Sequence, residues 1–413
     1  MKLDNEEFAH IKCAEGFSEK LRFVSTAEGT VCEGHICDLC INNAGEFSIF
    51  GKNPNICCFE KTERCFNGIP YYIFVNRDIS NVVVFSKFCI PFNIPKAKSQ
   101  FLKNYKNDLI KAIRNLRPFD NCILQAKYGT TESKKNYDLE NVLFYNIGTT
   151  HFKLFTNKGV KFSVATNQEI NKLRKQYNIP DEYTHYYEYR IETNTPKKIS
   201  GDLLAEWEDI PLKCLGARPA NIWNILRTYE KTIKVYDKID CNKGDTFALV
   251  LNIEKPKGTR LNIMTAMKPL LDGLICAFHS SNFNENELEY FSQHLSCGKE
   301  FLSDNSGNVL GKRNSKFIQI YRNNIKWNPA DDLCNYVFIS IRENNAWNVS
   351  GKIYSSVKCP KCGKGKISKL LWGMPAYSEE LEKDIELGKV RLAGCVINEK
   401  RHRYYCKWCK QEF

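Results

Sequence analysis

From residue 71 onward the chain alternates short β-branched and aromatic runs with longer stretches in which apolar residues recur at helical spacing. Tyr71–Val75 and Val82–Phe85 read as strands. Over Ser99–Leu116, Leu102, Tyr105, Leu109, Ile113 and Leu116 mark one helical face, while Lys103, Lys106, Lys111 and Arg114 give the helix a basic exposed side. Strand patterns follow at Cys122–Lys127, Phe152–Phe155, Val160–Val164 and Thr184–Ile191, with a helix near Gln168–Tyr177. Leu203–Trp207 and Pro219–Val235 read as helices and Asp245–Ile253 as a strand. Lys268–Phe278 and Asn286–Leu295 look helical, Phe317–Tyr321 and Tyr336–Ile341 extended. With no repeat of about 20–50 residues, this interleaving predicts an α+β fold with a mixed α/β central region.

The two flanks break the pattern. Residues 1–68 are cysteine-dense and end in a Gly-rich, turn-rich stretch, and beyond Gly351 the texture shifts abruptly to Lys, Gly and Cys. The expected organisation is a Cys-rich N-terminal module (1–68), a first α/β region (69–200), a second (201–350) and a C-terminal zinc ribbon (351–413). A length of 413 residues suits two or three domains, and 43% hydrophobic with 26% charged residues excludes a disordered or fibrous chain. The opening MKLDNEEFAHIK has no apolar run, and the longest apolar stretch, LLDGLICAF, is half a membrane span and contains Asp272. A cytoplasmic protein with no membrane partner is therefore expected. In that reducing compartment its 19 cysteines should be thiols or metal ligands.

Two C-x-x-C pairs, Cys359-Pro360-Lys361-Cys362 and Cys406-Lys407-Trp408-Cys409, each place two thiolates on one tight turn. Together they complete a tetrahedral four-cysteine set, the closed arrangement of structural zinc. The insert between them carries SEELEKDIELGKV, a short helix, before a strand at Arg391–Ile397. About the last 55 residues resemble the zinc-ribbon tails of many bacterial proteins, a likeness that implies metal binding and no particular activity. Near the N-terminus Cys37-Asp38-Leu39-Cys40 forms a third knuckle. With Cys57 and Cys65 it is the simplest ligand set for a second zinc site, which a small module short of Leu and Ile would use as a staple; buried free thiols, in the absence of a second C-x-x-C, are the alternative.

Charge sharpens the picture in one place. Of the net +13, residues 351–413 hold a surplus of seven. Lys364, Lys366, Lys369, Arg401, Arg403, Lys407 and Lys410 interleave with Trp372, Tyr404, Tyr405 and Trp408. Phosphate-attracting charge beside stacking surfaces suits a nucleic-acid partner. Aromatics filling a minimal core under solubilising lysines would leave the same pattern.

The middle region lacks a P-loop, a G-x-S-x-G elbow and an H-E-x-x-H helix, which disfavours nucleotide hydrolysis by a P-loop and zinc proteolysis. It does contain Lys268-Pro269-Leu270-Leu271-Asp272-Gly273, expected to open a helix, and a later Trp327-Asn328-Pro329-Ala330-Asp331-Asp332. Carboxylates on a helix start and a later loop can converge on one Mg²⁺ or Mn²⁺. These segments resemble the RusA-type Holliday-junction resolvases, whose core has a K-P-D-x-D-N helix start and a later W-x-D-D. The resemblance implies a divalent-metal nuclease in which Asp272 is the second helix carboxylate and Asp331 or Asp332 the later one. Leu270 stands at the family's first aspartate and Gly273 at its Asn. An earlier string, Tyr137-Asp138-Leu139-Glu140-Asn141, resembles the same D-x-D-N and keeps two carboxylates after a strand, a basic helix and another strand. A core of two similar halves, each retaining part of a metal site, accounts for both strings. Helix-start and turn preferences of Asp272 and Asp331 are the plainer explanation.

The function expected from sequence is an intracellular zinc-ribbon protein that binds nucleic acid, DNA sooner than RNA. An alternative is a RusA-like nuclease using Asp272, Asp331 and Asp332 with Asp138 and Glu140, Lys268 steadying the phosphate. A third is a zinc-stabilised scaffold that docks protein partners.

Overall fold

In the computed structural model the described residues are 71–394 and 402–413, except positions 77–78, 92–98, 133–136, 196–198, 200, 214, 216–217, 281, 304–307, 313–315, 323, 358, 360, 363–364, 366 and 377, together with three short strands before residue 50. Cys37, Cys40, Cys57 and Cys65 lie outside them.

β1 (Arg22–Thr26) and β2 (Gly29–Glu33) form an antiparallel pair, and β3 (Ser48–Ile49) pairs with β4 (Tyr71–Asn76). A first series then runs β5 (Asn81–Ser86), α1 (Ser99–Ile113), β6 (Cys122–Thr130), β7 (Gly159–Val164), α2 (Asn167–Gln176) and β8 (His185–Thr193). A second runs β9 (Leu203–Pro211), α3 (Pro219–Thr228), β10 (Lys234–Val235), β11 (Phe247–Pro256), α4 (Ile263–Ala277), α5 (Glu285–Leu295), α6 (Lys299–Ser303), β12 (Ile318–Tyr321), β13 (Asn324–Trp327), β14 (Cys334–Asn344) and β15 (Asn348–Ser355). The C-terminal part adds β16 (Ile367–Leu371), α7 (Glu379–Glu386), β17 (Val390–Leu392) and β18 (Tyr404–Cys406) in its own three-stranded sheet.

One 11-stranded sheet, ordered β10-β9-β15-β11-β14-β7-β6-β8-β5-β4-β3, spans both series. The series share a topology. Strand β6 is parallel to β7 and antiparallel to β8, which is antiparallel to β5. In the same way β11 is parallel to β14 and antiparallel to β15, which is antiparallel to β9. The series join by antiparallel pairing of β7 with β14, from Tyr336 opposite Ser163 to Ser340 opposite Gly159. An antiparallel pair of equivalent strands defines a local twofold axis through the middle of the sheet.

Period-2 alternation sends Val82 and Val84, Leu124 and Ala126, and Tyr187 and Tyr189 to one face, into a single core that also takes in α4. Val83, Phe85 and Tyr186 face the other way, onto Ile170 and Tyr177 at α2. Helix α4 is apolar on most sides and buries Met264, Met267, Leu270, Leu271 and Leu274. Gly273 lets it lie against the start of α3, where a Cβ would collide with the Pro219 carbonyl oxygen.

Four expectations change. Leu203–Trp207 is extended because its residues complete the sheet beside β15, burying Leu204, Ala205 and Trp207. Phe152–Phe155 lies in a 3-10 turn, Thr149–Phe155, that tucks Phe152 edge-on against Phe144. Helix α3 stops at Thr228, short of Val235. Gly351 sits inside β15, where the absent side chain makes room for the Trp207 ring, so the sheet runs on to Ser355 before the ribbon begins.

Candidate functional site

The acidic strings follow equivalent strands. After β6, Asp138 starts a helical turn: its Oδ1 accepts the Asn141 backbone N–H at 3.1 Å, and the Asn141 amide donates to Oδ2. The turn continues as a π-helix, Asn141–Tyr145, which buries Val142, Leu143 and Phe144 and thereby pins Glu140 inward. After β11 comes α4. It begins at Ile263, so Lys268 and Asp272 lie in its interior, one turn apart on the same face, and do not open it as expected. Asp331 opens the 3-10 turn Asp331–Leu333 ahead of β14, with its Oδ1 held by the Asp332 backbone N–H at 3.0 Å.

These pieces meet at one point. The Lys268 ammonium lies 2.6 Å from Glu140 Oε1, 3.1 Å from Asp138 Oδ2, and 3.4 Å from both Asp272 Oδ1 and Asp331 Oδ2. Carboxylate oxygens of Asp138, Glu140 and Asp331 all lie within 4.8 Å of one another, a set that could hold a metal ion. Asp332 is outside that set and contributes its backbone N–H. Glu140 is 2% exposed, and its second oxygen, Oε2, is buried with no hydrogen-bond partner.

Burial dominates the electrostatics. It pushes the Asp331 carboxyl up to about 7, helped by Asp138 and opposed by Lys268, and the Asp272 carboxyl up to about 6 against the pull of Lys268. Glu140 is raised well above the carboxylate range by burial, with Asp138 and Asp272 adding to the effect of desolvation. Burial alone would lower the Lys268 pKa, but the four carboxylates outweigh it and hold the amine charged. One ammonium therefore faces four acids. A doubly charged cation with hard oxygen preference fits such a donor set better than a single lysine does.

Pro269 interrupts α4 and removes a backbone donor beside the site. Tyr145, from the π-helix of the first series, inserts its hydroxyl there, donating to the Met264 carbonyl and accepting the Lys268 N–H, each at 3.2 Å. Tyr145→Phe is expected to lower stability by about 1–3 kcal/mol, since two part-buried backbone groups each lose a hydrogen bond. Denaturant unfolding reads it, and an unchanged midpoint would show that α4 closes its own ladder.

A second cluster lies in the ribbon. The sulfurs of Cys359, Cys362, Cys406 and Cys409 all fall within 4.8 Å of one another, with Cys359–Cys409 and Cys362–Cys406 at 3.5 Å. Tetrahedral Zn–S bonds of about 2.3 Å require sulfurs about 3.8 Å apart, so this donor set fits zinc. The Cys409 backbone N–H points at Cys406 Sγ and is the main cause holding that thiol down at about 6, while burial pushes the neighbouring Cys409 thiol up to about 12.

The expected basic surface divides. Lys369 and Arg403 are turned on the chain itself. Lys369 Nζ sits 2.7 Å from Asp237 and 2.9 Å from the Lys238 carbonyl, and Arg403 lies 2.7 Å from Asp245 and 3.1 Å from the Lys243 carbonyl. These contacts bolt the ribbon to the second series. Lys407 is half-buried, Trp408 is 60% exposed, and Lys364, Lys366 and Arg401 lie outside the described residues.

Sequence reasoning missed Tyr145, whose role depends on a helix 119 residues away. It also missed a relay in which Glu132 faces His185 at 3.3 Å and His185 Nδ1 meets the Tyr128 hydroxyl at 2.8 Å. The Pro in Lys268-Pro269 was the available signal for an interrupted ladder. Among the described residues no helix is long and apolar enough to cross a membrane. No family model matches the chain, and no curated protein matches it.

Proposed function

We propose that the protein is a divalent-metal-dependent phosphodiesterase acting on nucleic acid, with the zinc ribbon as an accessory contact surface. The convergence of Asp138, Glu140 and Asp331 around one point, with Glu140 Oε2 buried and unpartnered, carries this reading. Burying several carboxylates together is costly, and a shared Mg²⁺ or Mn²⁺ is the usual compensation where water must be activated and a leaving oxygen steadied. Asp138, Glu140 and Asp331 would hold the ion. Asp272, with its carboxyl near 6, is suited to accept a proton from an attacking water near neutral pH. Lys268, within 3.4 Å of all four acids, is placed to turn toward a phosphate oxygen once its partners are otherwise engaged. The resemblance of the KPLLDG and PADD strings to RusA-type resolvases agrees with this chemistry.

A protein-docking role has one specific observation behind it. Met374, Leu387 and Leu392 are exposed on the ribbon insert beside α7, an apolar surface uncommon on a module that only contacts phosphate.

The test incubates zinc-loaded protein with labelled single strands, duplexes and four-way junctions in Mg²⁺, Mn²⁺ or EDTA. Cleavage that EDTA stops, reduced at least 100-fold in Asp138→Asn while binding persists, is the expected result. Binding without cleavage in any metal would leave a nucleic-acid-binding module and remove the catalytic reading.

A further inference from the structure

We propose that the two series are fused equivalents of one ancestral unit that share a single reaction centre across their local twofold axis, so that one chain breaks one phosphodiester bond per encounter. The proposal rests on the phosphodiesterase reading and goes further, to the number of centres and the outcome of cleavage.

The first support is topological. Both series contain a strand, a helix, a strand, an acidic segment and two further strands in that order, with identical parallel and antiparallel relations. Helix α2 is inserted between the last two strands of the first series, and β10, α5, α6, β12 and β13 are inserted in the second; the two meet at β7 and β14. In a sheet built this way the segments after β6 and β11 are equivalent, and they do touch: Tyr145 of one bonds the Met264 and Lys268 backbone of the other. Equivalent segments in mutual contact lie close to the axis that relates them.

The second support is that neither series can complete a carboxylate set alone. In the first, Asp138 and Glu140 stand two residues apart, but no Asp or Glu occurs between Glu140 and Glu169, so nothing ahead of β7 matches Asp331. In the second, Asp331 precedes β14 and Asp272 lies on α4, but the residue two before Asp272 is Leu270, buried in the core at 1% exposure. The losses are complementary. What one series lacks the other supplies: Glu140, from the first series, has its Oε2 buried without a partner, and its carboxylate clusters with that of Asp331, from the second.

A symmetric pair of complete units would carry two centres and could cut two strands together. One shared centre performs one hydrolysis: a water oxygen bonds to phosphorus, the P–O bond to the leaving sugar oxygen breaks with its electron pair, and that oxygen takes up a proton given up by the water. A double-stranded substrate should leave with a single nick.

Mn²⁺ titration of the zinc-loaded full chain, followed by electron paramagnetic resonance, tests the shared centre without requiring turnover. Asp138→Asn and Asp331→Asn, one from each series, should each weaken all tight Mn²⁺ binding at least tenfold. If either variant keeps a full-affinity site that the other loses, two independent centres exist and the proposal fails while the metal reading stands. If the wild type binds no Mn²⁺, the phosphodiesterase reading fails and this proposal with it. The second arm follows supercoiled plasmid with Mg²⁺ or Mn²⁺. Nicked circles should accumulate first, with linear product arising only by a later, separate event. Concerted linearisation by the monomeric chain overturns the single-incision outcome, and intact plasmid in the presence of bound Mn²⁺ overturns it together with the phosphodiesterase reading.

Discussion

Replacing Lys268 by Met is expected to cost about 3–5 kcal/mol of stability at pH 8, because it strands buried carboxylates without their cation. Lys268 is the shared partner of Asp138, Glu140, Asp272 and Asp331. The loss should shrink at low pH. Carboxyls whose folded pKa is raised, to about 6 at Asp272 and about 7 at Asp331, favour the folded state when protonated. Their contribution is fully present below about pH 4, the unfolded value, and is lost as pH rises through 6 to 7. Denaturant midpoints of the variant should therefore rise steadily from pH 8 to pH 5, and added Mn²⁺ should raise them at pH 8 but little at pH 5, where protons compete for the same oxygens. A loss that is equal at both pH values would assign Lys268 a packing role and leave the acidic centre unsupported. If the variant does not fold at pH 8, the midpoint at pH 5 still reports the recovery.

Cys409→Ser is expected to release zinc from the ribbon and unfold it, because in a module this small the metal supplies most of the folding free energy, on the order of 10 kcal/mol. The contacts that depend on that fold are specific. Lys369 of β16 would leave Asp237 and Arg403 would leave Asp245, so the second series should become measurably less stable while the 11-stranded sheet persists. Zinc stoichiometry and hydrogen exchange read the two effects separately: exchange should become fast across β16 and β18 and remain slow in β6, β7, β11 and β14. Unchanged stoichiometry would remove Cys409 from the metal set. Unchanged protection near Asp237 and Asp245 would show that the ribbon is only tethered to the sheet.

Much of the local structure follows from periodicity. The strands β4 to β8 and the helices α1 and α2 lie where alternating and 3.6-residue patterns place them, since the strands and α1 bury a face against the common core and α2 buries one against the opposite face of the sheet. Leu203–Trp207 misleads because five residues with Leu, Leu, Ala and Trp fit either period, and only pairing with β15 selects the strand. The start of α4 misleads for a different reason. Pro269 reads as a first-turn residue, yet here it lies inside the helix, which begins a turn earlier, and Tyr145 bonds the Met264 carbonyl and the Lys268 N–H just ahead of it.

The four ribbon cysteines were determined by sequence alone: two turns of fixed geometry need only be brought together once, and the residue types allow little other than a metal to hold them. The basic residues around them were not. Whether Lys369 and Arg403 face solvent or Asp237 and Asp245 depends on how the ribbon docks, which no local pattern records. The same holds with more force for the acidic centre. Sequence showed two short acidic strings and the similarity between them. Tertiary structure decided that they form one site, because Lys268 is 130 residues from Asp138 and 63 from Asp331, and at such separations contact is set by strand pairing. The β7–β14 pairing brings the equivalent segments face to face. Chemistry that rests on neighbours in sequence is written in the chain, whereas chemistry that rests on neighbours in space exists only once the sheet has closed.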